Sequence, residues 1–320
     1  MDREPSTMRA ARVYRFGGPE VIAVEDVPVP EPGPGEVLVR VGAAGVGPWD
    51  GWIRAGRSVL PQPLPLTLGS DLAGTVAKVG ADVGGFAADE PVFGVTNKRF
   101  TGSYAEFALA RAAMIARRPG TLDDVAAASV PVIAVTAWQA LFDQAHLTAG
   151  QTVLIHGGAG SVGAYAVQLA REAGLRVIAT ASARDTDYVG RLGATTVVDH
   201  RAERFEDVAR NVDAVIDLVG GETQARSFAV LKRGGHLISA VSEPDTAEAA
   251  RRGLQARFFL VDVTTAALSG IAERLADGRL TVDVGITLPL QEARIAHEML
   301  DGRRPKPRGK IVLTVQGDVP

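Results

Sequence analysis

The sequence predicts an α/β chain in which a doubly wound parallel sheet is inserted into a β-rich domain built from both chain ends. Three observations carry that prediction. From Met8 to about Ala110, Val- and Leu-rich runs such as EVLVRVGAAGV and LAGTVAKVG alternate with Gly and Pro, as strands joined by turns do. From Thr152 onward, strand-like runs alternate with helical spacing, which favours parallel strands covered by helices on both faces. The chain then returns to strands in TVDVGITLPL and GKIVLTV, read as completing the first β unit. The predicted domains are residues 1–127 with 265–320, and residues 128–264.

The elements follow in order. MDREPST, residues 1–7, lacks the apolar centre of an export signal and is expected to be a loose tail. LDDVAAASVPVIAVTAWQALFDQA suits helices interrupted at Pro131. TVLIHG opens the parallel region as a strand, and a helix is expected from about Val162 to Ala173. RVIATA, TTVVD, VDAVIDLVG, GGHLISAVS and ARFFLVDV supply further strands. A helix from Thr265 to Asp277 and another between the last two strands complete the pattern.

Composition bounds the function. With 320 residues, 46% hydrophobic and 22% charged, the chain has enough apolar material for a sizeable core in two domains. A net charge of -3 gives no electrostatic reason to expect nucleic acid or an anionic membrane as partner. The absence of cysteine excludes disulfides and thiolate zinc ligands, and it suits a reducing compartment. No apolar run approaches the ~20 residues of a membrane span, so the cytoplasm is the expected location.

The stretch VLIHGGAGSVGAYAVQLAREAG carries the chemistry. Gly158, Gly160 and Gly163 give GxGxxG between an apolar strand and a helix, the context that marks a dinucleotide diphosphate site. The first glycine permits a tight turn, the second lets backbone approach the diphosphate, and the third lets helix pack on strand. Unpaired N–H groups of Ala159, Ser161 and Val162, at the start of the helix, would face the anion. A bare strand-to-helix turn is the competing reading.

About twenty residues on, an NAD site usually places a carboxylate on the ribose hydroxyls. Here that place is Ala181 or Ser182, and Ser182 with Arg184 offers a hydroxyl and a guanidinium suited to a 2′-phosphate. The expected coenzyme is therefore NADPH. Against it, Arg184 reads equally as a solvated charge blunted by Asp185. His200, after TTVVD, is a further candidate at the adenosine edge, or an ordinary surface histidine.

HGGAGSVGAYAVQLAREAGLRVIATAS resembles the coenzyme segment of the medium-chain dehydrogenase/reductase superfamily, specifically its zinc-free quinone oxidoreductase branch, which includes zeta-crystallin. The likeness extends from MRAARVYRFGGPEVI through AAGVGPWDGWIRAG, LGSDLAGTVAKVG, GSYAEF and PVIAVTAWQAL to RGKIVLTV. It implies a GroES-like catalytic domain from the two chain ends, a Rossmann domain between them, and a homodimer paired through the Rossmann sheet edge. By the same resemblance Thr136 approaches the nicotinamide, with a bond back to its own helix as the competing role, and backbone of Val241, Ser242, Leu260 and Val261 holds its carboxamide. Lys310 either reaches the coenzyme or is solvated.

No metal is expected. The zinc cysteine of related alcohol dehydrogenases would fall in AAGVGPWD and the histidine in LGSDLAG, where this chain offers only Asp50 and Asp71. Without that Lewis acid, quinones and other conjugated acceptors suit hydride transfer better than a product with a hard alkoxide. Relatives place Asn at Gly47 and Tyr at Trp52, so the acceptor pocket is expected to rest on the flat faces of Trp49 and Trp52, with core packing as the alternative. Asp50 is a pocket candidate that could equally hold its own loop. Tyr104, read as starting a strand, offers a proton or a hydrogen bond. The functions in view are quinone reduction, reduction of enones, 2-alkenals or enoyl thioesters, and a low-turnover NADPH-binding role as redox sensor or crystallin.

Overall fold

A computed structural model describes residues 5–315. Eight strands come first: β1 (Thr7–Val13), β2 (Ala23–Pro28), β3 (Glu36–Val46), β4 (Leu66–Thr67), β5 (Asp71–Val79), β6 (Pro91–Val95), β7 (Phe107–Arg111) and β8 (Ile115–Arg117). Six more follow: β9 (Thr152–Ile155), β10 (Arg176–Ala181), β11 (Thr196–Asp199), β12 (Val212–Asp217), β13 (Leu231–Ser239) and β14 (Gln255–Phe258). The last two are β15 (Val284–Pro289) and β16 (Lys310–Thr314). Four helices matter below: α1 (Pro48–Arg54), α2 (Asp124–Ala128), α3 (Pro131–Trp138) and α4 (Ser161–Glu172). The chain divides into two compact units, one ending at Val132 and resuming at Val263, the other Ile133–Asp262.

In the first unit a seven-stranded sheet runs β15-β16-β3-β5-β6-β8, with β7 also paired to β3, and β2-β1-β4 form a small second sheet. The C-terminal β16 lies antiparallel on β3, with Ile311 opposite Val46 and Leu313 opposite Ala44. Both chain ends therefore share one core, in which Val39, Val41, Leu72, Val76, Ile311 and Leu313 are buried. The expected tail is shorter than its heptad: Thr7 already pairs with Pro28 in β1, and residues 1–4 lie outside the described residues. Tyr104 does not start a strand; it precedes β7, in a bend whose N–H donates to the Leu68 carbonyl.

In the second unit all six strands are parallel in the order β11-β10-β9-β12-β13-β14. That is the doubly wound order 3-2-1-4-5-6, which reverses between β9 and β12 and opens a crevice outside their carboxyl ends. Strand residues such as Val153, Leu154, Val215 and Ile216 are fully buried because helices cover both faces. β14 is an edge strand and stops at Phe258, short of the FLVDV continuation that its apolar composition suggests.

Arg54, at the end of α1, fastens the first unit together. It is 2% exposed. Its Nε donates to the Gly17 carbonyl, Nη1 to His297 Nδ1 at 3.1 Å, and Nη2 to both carboxylate oxygens of Asp301 at 3.0 and 2.8 Å. One guanidinium thus joins a segment near the N-terminus, α1, and the helix Ala293–Leu300. Since Arg54 can only donate, His297 Nδ1 must accept, and the imidazole is neutral. Burial, aided by the Arg54 charge, pushes His297 down to about 3. His156 in the second unit is likewise pushed down by burial, to about 4.

Two outcomes follow from these buried groups. Arg54→Met leaves the Gly17 carbonyl, His297 and Asp301 without their donor, and is expected to cost about 3 kcal/mol in urea unfolding; an unchanged midpoint would show that Arg54 does not fasten the ends. For His156, the unfolded chain takes up a proton near pH 6.5 while the folded chain refuses it until about pH 4. Stability from this group is therefore lost as pH falls across that window, by roughly 1.4 kcal/mol per pH unit at most. The urea midpoint of His156→Gln should fall less steeply between pH 6.5 and 4.5 than that of the parent chain, and parallel curves would refute the buried neutral imidazole.

Candidate functional site

The second unit holds the glycine turn at the mouth of its crevice. The left-handed residue is Gly157, with φ +73°, so the tight-turn role expected of Gly158 belongs to its neighbour. Gly158 instead packs on β10: a Cβ there would lie 2.9 Å from the Ala179 Cβ. Gly163 admits no side chain, because its Cβ would stand 2.1 Å from the Gly157 carbonyl oxygen. At Gly160, the N-cap of α4, the nearest atom to a Cβ would be that same oxygen at 3.2 Å, so the turn stays open outward. No side chain caps α4, and the N–H groups of Ser161, Val162 and Gly163 have no partner four residues back within the helix.

A support absent from the sequence reading lies beneath the turn. Thr180 Oγ1 accepts the Gly157 N–H at 3.1 Å, and the Thr180 carbonyl accepts the Gly158 N–H at 2.8 Å. His156 bridges Thr180 Oγ1 and Ser227 Oγ at 3.2 and 3.0 Å. Ser227 Oγ donates to the Thr223 carbonyl, so it accepts from His156 Nε2, leaving Nδ1 to accept from Thr180.

At the end of β10, Asp185 gathers both donors expected at a 2′-phosphate. Its Oδ2 accepts from Ser182 Oγ at 2.7 Å and from Arg184 Nε at 3.3 Å. Arg184 is engaged through Nε alone, and its side chain is 85% exposed, which leaves the guanidinium tip in solvent. His200 Nδ1 donates to the Ala181 carbonyl at 2.7 Å, which brings it to the same edge with Nε2 directed elsewhere.

Beyond β12 and β13 the backbone is organised from below. Asp217 is fully buried. Its Oδ1 accepts the N–H groups of Val219 and Gly220 at 3.1 and 2.8 Å. Its Oδ2 accepts from Gln224 Nε2 and Ser239 Oγ, both at 2.9 Å. Ser239 Oγ in turn accepts the N–H groups of Val241 and Ser242 at 3.3 and 3.2 Å. Those two N–H groups therefore point inward, and of the backbone expected at a carboxamide, the Val241 and Ser242 N–H groups are engaged by Ser239. What stands outward is apolar: Val219, Val241 and Leu260 are 55%, 37% and 55% exposed. Gln139 holds the segment after β14 by a reciprocal pair with the Asp262 backbone at 2.8 and 3.1 Å, beside Val261. Thr136 is buried in α3.

The first unit carries a second cluster. Gly47 precedes α1, and the Trp49 ring lies so close that a Cβ on Gly47 would meet it at 2.3 Å. The Trp49 indole donates to Ser70 Oγ at 3.1 Å. Lys310 is neither solvated nor loose: it is 2% exposed, donates to Asp71 Oδ2 at 2.9 Å, and holds its ammonium 4.3 Å from the Trp49 ring centre. Asp50 Oδ2 accepts from the Gly47 N–H at 2.8 Å and from Tyr104 at 3.1 Å, so Asp50 does hold its own loop. Its Oδ1 is buried without a partner. Burial pushes the Asp50 carboxyl up to about 7, raises Asp71, and drives Tyr104 well above its ordinary value. Trp52 stands apart, 43% exposed. Among the described residues no three His, Cys, Asp or Glu side chains converge as a metal site requires.

Comparisons with known proteins agree with this architecture. Residues 33–120 match the alcohol dehydrogenase GroES-like domain, and residues 192–313 match a domain described as a zinc-binding dehydrogenase. A quinone oxidoreductase of Pongo abelii is 33% identical over 309 residues, covering 91% of this chain and 93% of that protein. An NADPH-dependent alkenal/one oxidoreductase of Arabidopsis thaliana is 32% identical, over 73% of this chain and 63% of that protein. The solved quinone oxidoreductase of Coxiella burnetii superimposes with a TM-score of 0.90 at 33% identity, over 97% of this chain and 100% of that one. The parallel six-stranded sheet with its glycine turn, the β-rich unit closed by both chain ends, and these relatives together make the chain an oxidoreductase of the quinone oxidoreductase family within the medium-chain dehydrogenase/reductase superfamily.

Proposed function

We propose that this enzyme is an NADPH-dependent, zinc-independent reductase of quinones. The observation that carries the reading is the Gly157–Gly163 turn, whose helix start is uncapped and whose outer face is open at Gly160. There the N–H groups of Ala159, Ser161, Val162 and Gly163 would meet a diphosphate. The exposed tip of Arg184 and the hydroxyl of Ser182 would meet a 2′-phosphate, and Asp185 aims the first while opposing the anion. The reduced nicotinamide supplies the hydride. The apolar side chains of Val219, Val241 and Leu260 give its ring a surface from which water is displaced. Trp49 and Trp52 are the aromatic faces proposed for the acceptor, and the reduced acceptor takes its proton from water.

The match to a zinc-binding dehydrogenase domain raises a metal directly, and the residues do not fit one. Asp71 is already neutralised by the Lys310 ammonium. The indole of Trp49 fills the space over Gly47, and Asp50 is engaged by the Gly47 N–H and Tyr104. Among the described residues no third ligand joins the two carboxyls. No step is therefore routed through zinc. Reduction of conjugated C=C bonds is the second reading, favoured by the similarity to an alkenal/one oxidoreductase. Two copies paired along the β14 edge, working in the cytoplasm, complete the proposal.

The acceptor reading is tested by following NADPH oxidation with a panel of quinones, 2-alkenals and enones. Turnover of quinones at least tenfold faster in kcat/KM supports it, turnover of enones alone moves the assignment to the second reading, and binding without oxidation points to a sensor or crystallin role. The coenzyme reading predicts that Arg184→Ala lowers the NADPH-over-NADH preference about tenfold in KM, the worth of one charge-assisted contact. An unchanged ratio would remove Arg184 from the site.

A further inference from the structure

Val219 and Val241 hold apolar side chains in solvent, at 55% and 37% exposure, just beyond strands whose Val215, Ile216, Leu237 and Ile238 are fully buried. A network that is saturated on its buried side lies beneath them. Both oxygens of Asp217 accept two bonds each, which uses the four lone-pair sites of a carboxylate. Ser239 Oγ donates once and accepts twice, which exhausts a hydroxyl. Gln224 Nε2 reaches Asp217 Oδ2, the Ser242 carbonyl and Ser242 Oγ at 2.9, 3.1 and 3.1 Å. Gly220, at φ +79°, lets the two loops meet, since a Cβ there would lie 3.1 Å from Ser242 Oγ and 3.3 Å from Val241 Cγ2.

The shelf so formed adjoins the glycine turn. A Cβ on Gly157 would find Val219 Cγ2 at 3.5 Å. We propose that Asp217, Ser239 and Gln224 are positioning residues for the nicotinamide half of the coenzyme, holding the 219–220 and 241–242 loops so that Val219 and Val241 face its ring beside the diphosphate turn. They touch no coenzyme atom themselves. The inference rests on the coenzyme reading above: in a sheet of this order the two halves hold the two halves of a dinucleotide, and what is added is the buried network under β12 and β13 that sets the nicotinamide half.

That division supplies the test. Adenosine 2′,5′-bisphosphate carries the adenosine half alone, and NADP+ carries both. Calorimetry with each ligand is run on the parent chain, on Ser239→Ala and on Gln224→Met, together with NADPH steady-state kinetics. Ser239→Ala strands the N–H groups of Val241 and Ser242, and Gln224→Met releases Ser242 from Asp217. The expected result in either variant is a Kd for NADP+ raised about tenfold and a lowered kcat, with adenosine bisphosphate binding unchanged, which also certifies the fold. Equal weakening of both ligands, or no change in either variant, overturns the inference and leaves the coenzyme reading standing. If the parent chain binds neither ligand, the coenzyme reading falls and takes this inference with it.

Discussion

One carbonyl oxygen, that of Gly157, sets the geometry on which the second unit depends. It accepts the Gly160 N–H at 2.9 Å, and it leaves no room for a side chain at Gly163. Helix α4 begins at Ser161 because the turn ends there, and it lies close on β9 because residue 163 has no Cβ. An alanine at 163 would require the helix to move off the turn, since real Cβ atoms do not approach a carbonyl oxygen to 2.1 Å. The N–H groups at the start of α4 then point past Gly160 into the crevice where the strand order reverses. The opening of the turn at Gly160 and the close packing of α4 arise from the same atoms, which is why they cannot be changed independently.

Buried carboxyl groups show how the fold handles charge elsewhere. Asp217 meets four donors, Asp71 meets an ammonium, and Asp50 meets two donors on one oxygen and none on the other. Removing a charge from water costs more than partial hydrogen bonding returns, so Asp50 is driven up to about 7 and is half protonated near neutrality. Asp71 is raised as well, because the gain from Lys310 only offsets part of its burial. The sign is the opposite of that for the histidines: between about pH 4 and 7 the folded chain holds a proton on Asp50 that the unfolded chain releases, so this group's penalty grows as pH rises from about 4 to 7 and levels off above.

Much of this was legible in the sequence, and the exceptions share a cause. The alternation after Thr152, the placement of α4 and the return of β16 to the first unit depend on local period and turn residues, which neighbouring positions encode. Thr180, Asp217, Gln224 and Ser239 carry no such signal, for each acts through partners brought together only when parallel strands align. The one hint was an acidic side chain ending the apolar strand VDAVID, a place where an unpaired carboxylate would be costly. The sequence around Lys310 does not announce its partner, because Asp71 lies on β5 and far away along the chain. The turn falls on Gly157 and not on Gly158, a difference of one residue that GG leaves open because the sign of φ is not written in the letters.

The pair of Lys310 and Asp71 bears on what chemistry the first unit can support. An ammonium can in principle replace a metal as the charge that steadies an oxyanion, and Lys310 is buried at 2% exposure. At 2.9 Å, however, its attraction to Asp71 amounts to roughly 6 kcal/mol for an effective dielectric of 20. A developing alkoxide would have to compete with that carboxylate for the same cation, and a second face of the ammonium is already turned to the Trp49 ring. The net charge available to a new anion is therefore small. Acceptors whose added electrons spread over conjugated atoms need less of it, so the Lys310–Asp71 pair suits quinones and enones better than simple carbonyls.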